Sequence, residues 1–219
     1  VSIEENLTVI RSRIQVACDL VGRDPASVTL IAASKNQPLQ KLEEAYSLGL
    51  RDFGESRLQE AEAKVEAMPG DITWHFIGTL QSNKAKKIAG LFSVIHTLEK
   101  ESQLREIDKS GRQIDVLQEV NIADEPQKSG NTVNILDDFR KQVLNYSTVR
   151  YRGLMTIGPA VSDPEMMRPF FRLMKRINDE AGGDWLSMGM SDDFDVAVQE
   201  GSTHIRVGTA LFGERERNT

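Results

Sequence analysis

Val28-Thr-Leu-Ile-Ala-Ala33 is a short, largely apolar run, followed by Ser34-Lys35 and, from Pro38 to about Leu48, by a helical pattern. Such a run predicts a buried strand. Upstream, Leu7, Ile10, Ile14, Ala17 and Val21 recur at helical spacing within 4–22, and Glu4 and Glu5 occupy the first turn, where the helix dipole favours acids. Downstream, Arg51-Asp-Phe53 reads as a brief second strand. Helices over 56–67, 83–89, 100–109, 132–145, 163–180 and 192–200 then alternate with strands over 73–77, 92–96, 114–120, 149–155, 185–189 and 203–207.

Regular βα alternation implies parallel strands with helices outside, and eight such units are what a closed (β/α)8 TIM barrel requires. An open doubly wound sheet would carry a glycine-rich turn after an early strand, and no G-x-G-x-x-G occurs. No Pro/Gly/Ser-rich linker divides the chain, so 1–219 reads as one α/β domain.

Composition narrows the function classes. A net charge of −6 argues against a nucleic-acid partner, since phosphate backbones demand clustered Lys and Arg. Lys84, Lys86 and Lys87 read as a solvated helix face. No run approaches the roughly 18 apolar residues of a membrane span, and the acidic, polar first residues do not resemble a signal peptide. One cysteine, Cys18, cannot form an internal disulfide, which fits a reducing, cytoplasmic setting. His75, His96 and His204 lack metal-ligand spacing, so no metal is expected. No G-x-S-x-G elbow marks a hydrolase. Trp74 and Trp185 read as core.

Barrel active sites lie at the C-terminal ends of the strands. Strand periodicity puts Thr29, Ile31, Ala33 and Lys35 on the axial face, with Leu30, Ala32 and Ser34 toward the helices. Desolvation at a barrel mouth lowers a lysine pKa and favours a Schiff base with a carbonyl compound. An exposed lysine at a strand end is the plain alternative. After strand seven, Met-Gly-Met-Ser191 leads into Asp192-Asp193 and a helix start, which can receive a phosphate. Gly208-Thr209 adds a close-approaching backbone and a hydroxyl; otherwise Ser191 only caps its helix and Gly208 only permits a turn. Arg206 faces the axis with His204, and a buried Arg needs an acceptor, either a structural carboxylate or a ligand.

The segments LIAASKNQP, RDFGESRLQE, ITWHFIGTLQSNKAK, LQEVNIADEPQKSG, RGLMTIG and LSMGMSDDFDVAVQEGSTHIRVGTALFGER resemble the YggS/PROSC family of pyridoxal phosphate homeostasis proteins over almost the whole chain. That family is similar to the N-terminal barrel domain of alanine racemase (PLP fold type III). The resemblance implies pyridoxal 5′-phosphate (PLP) held as a Schiff base on Lys35. It implies Ser191, Gly208 and Thr209 at the phosphate, Arg206 at the pyridine nitrogen, and Ser56, His75 and Met155 around the ring. Lys128 matches a loop lysine near the entrance. Two departures are Ser56, where the family often has Asn, and Asn36-Gln37, which removes a second lysine beside Lys35.

A permanent cation at the pyridine nitrogen disfavours its protonation and weakens PLP as an electron sink. Racemases of this kind take an acid/base group from a second domain, for which the dozen residues after strand eight leave no room. The expected function is therefore intracellular PLP (vitamin B6) homeostasis and delivery without robust catalysis, by a monomer, with PLP-dependent apo-enzymes as candidate recipients. A PLP-dependent racemase or lyase is the rival, and a Schiff-base aldolase acting without PLP is a third reading.

Overall fold

In the computed structural model, which describes residues 1–213, the run after Val28 is strand β1, Thr29–Ala33. Residues 214–219, including the end of the LFGER motif, lie outside the described residues. The remaining strands are β2 (Asp52–Glu55), β3 (Thr73–Phe76), β4 (Val94–Leu98), β5 (Ile114–Val120), β6 (Val149–Thr156), β7 (Trp185–Met190) and β8 (His204–Val207). Each pairs in parallel with the next, and β8 pairs with β1, so the sheet closes on itself. The (β/α)8 expectation holds, and the doubly wound sheet is excluded.

Helix α1 (Ile3–Asp19) precedes β1, and α2 (Leu39–Ser47), α3 (Leu58–Ala67), α4 (Ser82–Leu91) and α5 (Glu101–Asp108) follow successive strands. They continue with α6 (Leu136–Val143), α7 (Arg168–Glu180), α8 (Phe194–Gln199) and a single turn, α9 (Thr209–Phe212). The start of α1 is set by a reciprocal cap: Ser2 Oγ accepts from the Glu5 amide at 3.1 Å, and the Glu5 carboxylate accepts from the Ser2 amide at 2.8 Å. Such caps contribute about 1 kcal/mol. α6 and α7 begin later than their periodicity suggests, because 3-10 turns over Val133–Ile135 and Pro164–Met167 precede them.

Alternation along the strands separates two layers. Ala32, Phe53, Trp74, Ile95, Val116, Ile205 and Val207 pack outward against the helices. Inside the barrel, Val94, Leu117 and Met155 form a small apolar cluster with Trp185 against it. Beside this cluster and Ile31, the axis holds buried polar side chains: His75, His96, Ser187, His204 and Arg206.

The β2–α3 loop crosses the end of β3 so closely that a Cβ on Gly78 would lie 2.2 Å from the Ser56 carbonyl oxygen. That oxygen is backbone and cannot swing aside. Gly78→Ala is expected to destabilise the fold by about 2–3 kcal/mol, lowering Tm by roughly 5–10 °C in a calorimetric melt. A shift under one degree would show that the crossing relaxes freely.

Candidate functional site

Lys35 sits in the tight turn that ends β1. The turn is closed by the Gln37 amide donating to the Ser34 carbonyl at 3.0 Å, and Asn36 takes a left-handed conformation with φ 58°. Asn tolerates that region better than most residues. Beneath the turn, Lys64 Nζ donates to the Ser34 carbonyl (2.8 Å), to Glu55 Oε1 (2.6 Å) and to Glu60 Oε1 (2.7 Å). Ser34 Oγ donates to the same Glu55 oxygen at 2.6 Å. The turn that bears Lys35 thus rests on a buried ion pair. Burial nevertheless raises the Glu55 carboxyl above its usual range, against the hydrogen bonds from Lys64 and Ser34.

Lys35 and Ser56 line one cavity of about 470 Å³ at the C-terminal mouth, together with Arg57, Ile77, Lys84, Thr97 and Glu119. Lys84, Lys86 and Lys87 are all exposed, as a solvated face requires, but Lys84 also edges this cavity.

Ser191 is not the cap of α8. That position is Asp193, whose Oδ1 accepts from the Met190 amide at 2.7 Å. Ser191 Oγ instead accepts from the Ala210 amide at 3.2 Å, tying the end of β7 to α9. Gly208 precedes α9 against β1: a Cβ there would lie 3.2 Å from the Ala33 carbonyl. Ser191, Gly208 and Thr209 therefore cluster where β8 meets β1, beside the strand that carries Lys35.

Arg206 is 5% exposed. Its Nη1 donates to Ser187 Oγ at 2.5 Å and its Nη2 to the Thr156 carbonyl at 2.8 Å. Among the described residues no carboxylate lies within salt-bridge distance of it, so the structural-carboxylate alternative fails. Burial lowers its pKa to about 10, against the opposing charges of Asp193 and Glu119; it stays cationic at neutral pH.

His75 and Met155 are placed differently from expectation. Neither lines the mouth cavity. Met155 is sealed among Val94 and Leu117, and His75 bonds to His96 (2.9 Å) and to Asp52 at the start of β2 (3.0 Å). Both point inward; Met155 is paired across β5 and β6 with Glu119, which lines the cavity, and His75 lies two residues before the cavity-lining Ile77. Lys128 reaches the Gly158 carbonyl at 2.8 Å and Glu125 at 2.6 Å, lining a second opening of about 900 Å³ with Arg13, Met190 and Ser191. Among the described residues no His/Cys/Asp/Glu cluster suits a metal, and no helix is long and apolar enough to cross a membrane.

The sequence reading missed Glu119. It lines the cavity with Lys35 and is only 6% exposed. Burial, then the nearby charge of Glu99, pushes its pKa up to about 7. A carboxylate on the inward face of the strand over 114–120, two residues beyond the inward Leu117, was the available signal. A carboxyl whose folded pKa exceeds its unfolded value is protonated more readily in the native state. Its cost to stability is therefore absent below about pH 4.5, grows through the window from 4.5 to 7, and is complete above it. Glu119→Gln is expected to stabilise the protein at pH 8 by on the order of 3 kcal/mol more than at pH 4.5. Parallel urea unfolding at the two pH values checks this, and equal gains would contradict it.

The donor set suits PLP: a primary amine for its aldehyde, a cation without a carboxylate partner for the pyridine nitrogen, and two hydroxyls with a glycine for the phosphate. Comparisons agree. The profile of the family described as "Alanine racemase, N-terminal domain" matches residues 3–216. A protein of Aquifex aeolicus named pyridoxal phosphate homeostasis protein is 41% identical over 223 residues, covering 97% of this chain and 98% of the relative. Its namesake in Escherichia coli is 38% identical, covering 98% and 97%. Among solved structures, PipY of Synechococcus elongatus with PLP bound superposes with a TM-score of 0.83 at 35% identity, over 97% of this chain and 100% of that one. An alanine racemase from Corynebacterium glutamicum, at 15% identity and TM-score 0.69, shares the fold.

Proposed function

This chain belongs to the family of pyridoxal phosphate homeostasis proteins, and from that premise we propose that it holds PLP as a Schiff base on Lys35 and serves PLP homeostasis rather than catalytic turnover. The observation that carries the reading is the seam between β8 and β1. It brings a turn-borne lysine, an Arg without a carboxylate partner, and the Ser191/Gly208/Thr209 cluster to one end of the barrel. When bound, PLP supplies an aldehyde that condenses with a primary amine, releasing water.

The chain's own residues do the rest. Ser191 and Thr209 offer hydroxyls to the phosphate, and Gly208 lets the backbone come close. Arg206 presents a fixed cation to the pyridine nitrogen and so keeps a proton off it. Ser56 edges the ring cavity with a short hydroxyl. His75 and Met155 support the ring's floor from below. Delivery to PLP-dependent apo-enzymes, monomeric behaviour and a cytoplasmic setting complete the proposal.

Borohydride reduction of the PLP-treated protein, followed by peptide mass measurement, tests it. The expected product is a pyridoxyl-phosphate adduct on Lys35. An adduct derived from a sugar phosphate would favour the aldolase reading, and no adduct at all would refute a covalent carrier.

A further inference from the structure

Four buried or half-buried side chains connect Arg206 to the opposite end of the barrel. Ser187 Oγ lies 2.5 Å from Arg206 Nη1 and 3.0 Å from His96 Nδ1. His96 Nε2 lies 2.9 Å from His75 Nδ1, and His75 Nε2 lies 3.0 Å from Asp52 Oδ1. Ser187 and His96 are fully buried and His75 nearly so, while the Asp52 carboxylate is 31% exposed at the N-terminal mouth.

The donors in this line have one consistent direction. A guanidinium only donates, so Ser187 Oγ accepts from Arg206. The Ser187 hydroxyl hydrogen must then go to His96 Nδ1, because a buried hydroxyl left without an acceptor is costly. With Nδ1 accepting, a neutral His96 carries its hydrogen on Nε2 and donates it to His75 Nδ1. His75 in turn carries its hydrogen on Nε2 and donates to Asp52, whose carboxylate only accepts. Burial, followed by the charges of His75, His204 and Arg206, lowers the His96 pKa well below the usual histidine value, which keeps that ring neutral.

We infer that Asp52, His75, His96 and Ser187 form a one-way hydrogen-bond relay that positions Arg206 against the cofactor ring from the far end of the barrel. The four are positioning residues; none touches the cofactor. The inference rests on the reading of Arg206 as the group facing the pyridine nitrogen, but the direction of the relay is independent of any ligand. A relay anchored by a permanent donor at one end and a permanent acceptor at the other has both histidine tautomers fixed. Without Asp52, nothing pins the lower end, and the Ser187 oxygen that Arg206 needs is free to reorient.

The test begins with ring-nitrogen NMR of the cofactor-free full chain at neutral pH. Both His75 and His96 are expected as Nε2–H tautomers. Asp52→Ala opens onto solvent and should fold; it is expected to mix the two tautomers. PLP affinity should fall about tenfold, the factor for a charged donor losing a well-held acceptor, with a shifted visible band. His96→Gln, which keeps one donor and one acceptor, should retain more affinity than His96→Leu at matched Tm. An Nδ1–H tautomer on either ring of the wild type overturns the relay, as does an Asp52→Ala protein with wild-type PLP affinity. If wild-type protein fails to load PLP, the reading of the site falls, while the tautomers still decide the direction.

Discussion

A Lys35→Ala protein mixed with PLP is expected to show no visible absorption band from lysine-bound cofactor and to bind PLP on the order of a hundredfold more weakly. Removing this amine removes the only covalent attachment the turn after β1 offers, because Asn36 and Gln37 stand where a second amine would otherwise be close. The Ser191/Gly208/Thr209 cluster and Arg206 remain, so residual noncovalent binding should persist and compete with free phosphate. Lys84 edges the same cavity, so trapped peptides must be checked for it as well. A full-strength band in the variant, with the adduct on Lys84, would move the carrier to α4 and overturn the assignment.

Lys64→Met should cost about 3–5 kcal/mol, the usual penalty for leaving a buried charge without its partner. For a chain of this size that corresponds to a Tm lower by roughly 10–15 °C. Glu55 is fully buried, and its Oε2 has no partner even in the intact protein. Without the ammonium group the carboxyl has to stay protonated to remain inside. Because its folded pKa then exceeds the unfolded value still further, the deficit should be smallest in acid and should grow as pH rises above about 4.5. Adding Glu55→Gln should recover much of the loss. Lys64 also holds the Ser34 carbonyl, so the single variant should load PLP less completely at temperatures where it is still folded. A melt insensitive to pH would contradict the argument.

The order of elements was legible because apolar runs and helical periodicity each recorded a burial face. What the pattern could not record was depth. His75 in β3 and Ile77 just past its end point to the same side, but only Ile77 reaches the mouth cavity; the earlier residue belongs to a lower layer of the axis. Periodicity assigns a side and is blind to height along the barrel. β2 runs on to Glu55, beyond its apparent end at Phe53, since a glutamate reads as a strand boundary until Lys64, nine residues later, is known to neutralise it. Lys35, Ser191, Gly208 and Thr209 could be singled out as candidates because each stands just beyond a strand end. Ser187 and His96 were passed over because their value lies in a contact between strands 91 residues apart.

The ring of strands is completed by joining the first to the last, and the proposed ligand would straddle that join. A growing polypeptide could therefore capture the vitamin only after β8 had docked, so loading would report a finished molecule. The same clasp should favour native over unfolded chains by mass action, and the benefit should concentrate on opening of the β1–β8 edge. Hydrogen exchange at Thr29, Ile31 and Val207, whose amides lie in the β1–β8 ladder, would register it first.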